Sequence, residues 1–167
     1  CDLRDGSVLA SSGVMNPQIR FGEDLMSRVS YAMMNPGGDV EMTTAVRTAL
    51  NGLVQAISTQ AKIVPSSIYE ITFVCNPVMH HLLLGIDPVE LGQAPFALAT
   101  SSSLVLDAHD LDIKAVNPAA RVYILPCIAG HVGADCAAVA LSEEPNKSEE
   151  MVLIVDVGTN AELLLGN

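Results

Sequence analysis

The sequence contains no tryptophan and only 3 phenylalanines and 3 tyrosines, so its interior cannot be built from large rings. The abundance of alanine, valine and leucine instead points to a tightly layered α/β interior of small side chains. Basic residues are scarce as well. Eight Lys and Arg stand against 19 Asp and Glu, a formal net charge of -11, which would repel a phosphate backbone. No basic stripe with interleaved aromatics occurs, and nucleic acid is excluded as the expected partner. No uninterrupted apolar run approaches the roughly 18 residues needed to cross a bilayer. The first residues lack the basic-then-apolar layout of a secretion signal, so a cytoplasmic chain without membrane attachment is expected. The four cysteines, Cys1, Cys75, Cys127 and Cys136, form no C-x-x-C pair. Neither a zinc site nor an iron–sulfur cluster is written in them, and the last three, in apolar or small-residue contexts, read as buried reduced thiols.

What the chain has is core-forming material. Half of its 167 residues are hydrophobic, with a mean hydropathy of +0.39, ample for one domain with a sizeable core. Residues 1 to 15 read as a hairpin turning at Asp5-Gly6, with a second strand around Val8 to Ala10. Because that hairpin opens almost at once, the first strand of the sheet is expected to belong to sequence outside this chain. Phe21, Leu25, Met26, Val29 and Met33 recur at helical spacing until Asn35-Pro36-Gly37-Gly38. A longer helix follows, capped by Asp39 and ended by Pro65, with Met42, Val46, Leu50, Leu53, Val54, Ile57 and Ala61 as its apolar stripe. Gly52 within it is expected to permit close approach of a neighbour. Ile68 to Val74 reads as a buried strand, leading through Asn76-Pro77 into a short helix closed by Gly85. Residues 87–118 loosen into an irregular insertion with one strand-like run, Ser103 to Leu106. Val122 to Leu125 is a strand and Gly133 to Leu141 an alanine-rich helix, whose small residues imply close packing. The charged stretch Ser142 to Glu150 reads as a surface connection.

The last seventeen residues, MVLIVDVGTNAELLLGN, carry the most chemistry. Apolar residues run into Asp156, a Gly-Thr-Asn turn follows, and a second apolar run returns, which is a strand, tight loop and strand. As a phosphate-binding hairpin, Gly158 would let backbone amides approach an anion, and Thr159 and Asn160 would add donors. Asp156, at the strand end, would hold a water of a bound metal rather than the metal itself. The same pattern also occurs in plain hairpin turns, with a solvated Asp156 and with Glu162 merely solvating the returning strand.

Four separated segments then converge: NPQIRFGEDLMSRV at 16–29, FVCNPVMHHLLLGIDP at 73–88, GHVGADCAAVAL at 130–141 and VDVGTNAELLLGN at 155–167. Together they resemble the reductive activators of corrinoid iron–sulfur proteins. The resemblance covers nearly the whole chain, from the middle region of that family into the start of its C-terminal actin-like ATPase domain. It implies a ribonuclease-H-like α/β fold, a mixed sheet flanked by helices, of the sugar kinase, heat-shock protein and actin superfamily. It also implies ATP-dependent return of a corrinoid cofactor to the Co(I) state, with ATP and magnesium as cofactors. A two-iron two-sulfur cluster would lie in a ferredoxin domain not present in this chain, and the partner would be a corrinoid protein or corrinoid methyltransferase, served by a homodimer. The fragment would supply scaffold and one phosphate hairpin. Since the opposing hairpin would precede Cys1, negligible ATP turnover is expected of residues 1–167 alone.

The resemblance also places Asn16, Gln18, Gly22 and Asp24 near the cleft. Without it, Asp24 and Arg28 read as a surface pair one helical turn apart. Asn76, His80 and His81 match a family pattern G-N-T-x-M-x-H in which Cys75 and Pro77 replace the glycine and threonine. That departure weakens any phosphate role, and the adjacent histidines read as ordinary core or surface residues. Asp135 reads as a first-turn acid facing its helix dipole. Two rival functions stay open: a non-catalytic docking or dimerisation module of the same protein, and a small-molecule kinase of the same superfamily.

Overall fold

The computed structural model describes residues 1–157 and 161–166. Its ordered body is a mixed α/β arrangement. A 3-10 turn, Pro17–Arg20, leads into helix α1, Leu25–Met34, followed by the long helix α2, Gly38–Ala61. Strand β1, Glu70–Phe73, precedes helix α3, Pro77–Leu84. Strands β2, Leu104–Asp107, and β3, Arg121–Ile124, complete a three-stranded sheet of order β1-β3-β2. The central strand β3 pairs parallel with β1 and antiparallel with β2, so the sheet is mixed. Helix α4, Ala134–Glu143, then leads to an antiparallel hairpin of β4, Val152–Val157, and β5, Ala161–Gly166.

Alternation along β3 decides where the core sits. Val122 and Ile124 are fully buried, whereas Arg121 and Tyr123 point to the exposed face, where Arg121 pairs with Asp107 of β2. The buried face meets Val54 of α2, Leu83 of α3, and Ala108, Leu111 and Ile113 just after β2. A second apolar cluster joins Val29 of α1, Met42 of α2, and Val78 and Leu82 of α3. Among the described residues the helices therefore cover one face of the sheet. Residues 87–118, expected as an irregular insertion, supply β2 and several of these core side chains.

Several local expectations change. Residues 1–15 keep a tight turn, in which the Gly6 amide donates to the Asp2 carbonyl and the Asp2 amide to Ser7, but no strand ladder forms there. Val8, Val14 and Met15 stand exposed, while Leu3, Leu9 and Ala10 line a cavity against α2 and β1. Gly37, not Asp39, caps α2, with Asp39 in its first turn. Gly52 faces open space rather than a neighbour. Ile68 to Val74, read as a buried strand, shortens to β1 at the sheet edge, its side chains half-buried or exposed. Ala134 of α4 is fully buried but Ala137, Ala138 and Ala140 are only half-buried, so its close packing is confined to its first residues.

Candidate functional site

Three helix beginnings meet at one polar cleft of about 260 Å³. Asp24 caps α1: its Oδ1 accepts the Ser27 amide at 2.7 Å and the Ser27 hydroxyl at 2.6 Å. Those bonds hold its carboxyl below the usual carboxylate range. Asn76 caps α3, its side-chain oxygen accepting the Met79 amide at 2.9 Å, and Pro77 occupies the first helical turn, where a missing N–H costs nothing. Asp135 stands in the first turn of α4 and accepts the amide of Cys136. Asn16 caps the preceding 3-10 turn through the Gln18 amide, and its Nδ2 reaches Met79 Sδ at 3.5 Å. The hairpin closes the cleft: Asp156 of β4 and Glu162 of β5 are directly paired across the ribbon and both line it.

Close backbone approach makes this convergence possible. The Ala134 amide donates to the Cys75 carbonyl, which holds α4 against the start of α3. A Cβ on Gly133 would lie 2.7 Å from Asn76 Cα and 2.8 Å from Pro77 Cδ, so only glycine fits between the two helices. Gly22 plays the same part under α1, where a Cβ would come within 2.7 Å of the Arg28 backbone nitrogen. Its carbonyl accepts Arg28 Nε at 3.0 Å.

The cleft gathers five acids, Glu23, Asp24, Asp135, Asp156 and Glu162, with Arg28 as the single arginine or lysine in its lining. Like charges in so small a space repel, and three helix dipoles with their positive ends directed here offset part of that cost. Of the residues expected at the cleft, Asn16, Asp24 and Asp156 line it. Gln18 does not: it is fully buried beneath, its Nε2 donating to the Met42 carbonyl, and it ties the 3-10 turn to α2. Gly22 stands behind Arg28. Gly158, Thr159 and Asn160 lie outside the described residues. Asn76, Asp135 and Glu162, read from sequence mainly as structural or solvated groups, line the cleft too. Glu23, Met79, His131 and Arg28 in its lining were not anticipated. Arg28 had one legible signal, its position a turn after a capping Asp, but the surface-pair reading fails because it is only 7 % exposed.

The histidine pair belongs to the core. His81 Nδ1 donates to the Pro77 carbonyl at 2.9 Å and its Nε2 accepts the Ala99 amide at 3.0 Å, which fixes one neutral tautomer and ties residue 99 to α3. His80 is fully buried with no partner for Nε2, and burial, reinforced by His81, lowers its pKa from 6.5 to about 4. Burial lowers His81 as well. Both folded-state values lie below the unfolded one, so between about pH 6.5 and 4 the unfolded chain takes up protons that the folded chain refuses, and stability falls as pH falls. Urea titrations at pH 7 and pH 5 should show a loss on the order of 2 kcal/mol. The His80→Leu variant should lose measurably less over the same interval.

Burial also pushes the cysteine thiols up, Cys75 to about 12 with help from Cys127 and Asp135, and Cys127 and Cys136 in the same direction. These are inert reduced thiols, and among the described residues no disulfide joins them. Among the described residues no helix is long and apolar enough to cross a membrane.

A mixed α/β body with an acidic cleft at converging helix beginnings, closed by a hairpin carboxylate pair, defines the class structurally. Comparison supplies the family: residues 1–148 match the model described as RACo middle region, and the chain belongs to that family. The match ends inside the charged loop before β4, so the hairpin lies beyond it. The chain is 33% identical over 166 residues to the corrinoid activation enzyme RamQ of Eubacterium limosum, covering 99% of this chain and 28% of that protein. A solved structure of a reductive activator for corrinoid, iron-sulfur protein superposes with a TM-score of 0.94 at 34% identity, covering 99% of this chain and 26% of the other. The chain thus spans little more than a quarter of the length of these relatives.

Proposed function

We propose that this chain is part of an ATP-driven reductive activator that restores the Co(I) state of a corrinoid methyl-transfer protein, supplying scaffold and one wall of a magnesium–phosphate cleft. A ribonuclease-H-like, actin-related arrangement of the whole nucleotide domain forms part of this reading. The observation that carries it is the meeting, in one small cleft, of Asp156 and Glu162 from the hairpin with Asn16, Asp24, Asn76 and Asp135 from segments distant in sequence. The donor set suits hydrated magnesium. Among the described residues no three Asp, Glu, His or Cys side chains come close enough to share one ion. Magnesium sheds water reluctantly, so carboxylates spread around a cleft would hold it through its water shell. Asp156 and Glu162 would orient those waters, and the helix beginnings would face the phosphate oxygens. Hydrolysis of the nucleotide supplies the free energy for delivering a low-potential electron to the corrinoid.

The cysteines do not fit an iron–sulfur cluster: among the described residues Cys75, Cys127 and Cys136 belong to no group of three side chains close enough to hold a metal ion. No electron-transfer step is therefore assigned to this chain, and a two-iron two-sulfur centre would have to reside in a separate domain. Calorimetric titration of the intact protein with ATP, with magnesium and then with chelator, tests the reading: magnesium-dependent binding supports it, and no binding under either condition removes it.

A second reading, a docking or dimerisation module of the same protein, draws on the outer face of the β4–β5 hairpin. There Leu153, Val155, Val157, Leu163 and Leu165 all stand exposed on one side. Sedimentation separates the two: a tight dimer blind to nucleotide favours docking, and a nucleotide-binding monomer disfavours it.

A further inference from the structure

Arg28 is an unusual residue to find beneath five carboxylates. It is 7 % exposed, yet its Nε is spent on the Gly22 carbonyl, and among the described residues its two terminal nitrogens have neither a hydrogen bond nor an ion pair. Those nitrogens are not among the buried atoms left without a partner, so they open to the cleft, and Asp24, one turn away, accepts from Ser27 instead. A fixed fork with unused donors in a cleft is how proteins wait for a planar or tetrahedral oxyanion. The cleft, about 260 Å³, has room for a phosphate group beside Arg28.

Resting on the magnesium–nucleotide reading above, we infer that Arg28 anchors the γ-phosphate of ATP. Its Nε is pinned by Gly22, and its free nitrogens would donate to oxygens of that phosphate, while the cleft carboxylates would hold magnesium through its waters. The Gly22–Arg28 bond makes Gly22 a positioning residue, which acts through the arginine and not on the ligand.

The test measures ATP, ADP and inorganic phosphate affinity, each with magnesium, in the intact protein and its Arg28→Gln and Arg28→Lys variants. The inference expects Arg28→Gln to weaken ATP binding about 30-fold while changing ADP binding less than about threefold, since only ATP carries the anchored group. Arg28→Lys should recover part of the loss, and thermal midpoints should report whether each variant is folded. Equal weakening of ATP and ADP, or no weakening of either, overturns the inference while leaving the nucleotide site standing. Wild-type protein that binds inorganic phosphate but neither nucleotide removes the underlying reading instead, and makes Arg28 a simple phosphate site. If Arg28→Gln does not fold, Arg28→Lys decides: about a tenfold loss confined to ATP supports the anchor, and unchanged ATP affinity overturns it.

Discussion

Asp156→Asn in the intact protein is expected to lower magnesium-dependent nucleotide affinity, and with it reductive activation, by about 10- to 100-fold. The substitution keeps the size of the side chain and removes its charge. The Asp156 side chain makes no hydrogen bond to any described residue, and its backbone stays in the β4–β5 ladder on substitution, so fold stability should stay within about 0.5 kcal/mol of wild type. A residue that contributed only to the hairpin would show the reverse pattern, a change in stability without a change in binding. Titration with and without magnesium separates the two, because a carboxylate acting through the metal's waters affects binding only when the metal is present. Glu162→Gln should move binding in the same direction, since the two acids are paired across the ribbon.

The second large effect falls on stability. Gly133→Ala should cost about 3 kcal/mol, because the added Cβ would meet Asn76 Cα at 2.7 Å, Pro77 Cδ at 2.8 Å and Asp135 Oδ1 at 2.5 Å. Two of those three atoms belong to backbone or to a proline ring and cannot swing aside. The backbone of Gly133 is extended, with φ -91, so conformational strain adds nothing and the whole effect is steric. Relief requires α4 to move off α3, which would carry Asp135 out of the cleft and reduce ligand binding together with stability. Gly52→Ala is the matched comparison. Its Cβ would enter open space on α2, and removing a mid-helix glycine should stabilise by up to about 1 kcal/mol. Urea midpoints for the two variants should therefore shift in opposite directions.

Elements whose ends are set by local chemistry were legible in the sequence. Asn76, Pro77 and Gly85 mark α3 because capping, the first-turn proline and the closing glycine act within a few residues. The apolar runs around Asp156 mark the hairpin for the same reason. Features that depend on distant partners were not legible. An apolar strand such as β1 reads as buried whether it lies at the centre or the edge of a sheet, and only pairing with β3 alone places it at the edge. Residues 1–15 have the letters of a hairpin but form no strand ladder, and Leu3, Leu9 and Ala10 only line a cavity against α2 and β1. In the cleft, Asp156, Asn16 and Asp24 stood in recognisable segments, whereas Arg28 looked like a surface residue because its contact with the Gly22 carbonyl, six residues back, leaves no periodic signal. Gln18 shows the converse: the family resemblance placed it near the cleft, and the fold uses its side chain to satisfy the Met42 carbonyl.

Anomalous diffraction from manganese crystallised with ATP and the intact protein tests the central claim most directly. The account predicts one strong manganese peak in the cleft between Asp156, Glu162 and Asp135, bridged to them by water and joined to phosphate oxygens. A manganese–nucleotide peak bound elsewhere on the protein, with that cleft holding solvent alone, would contradict it.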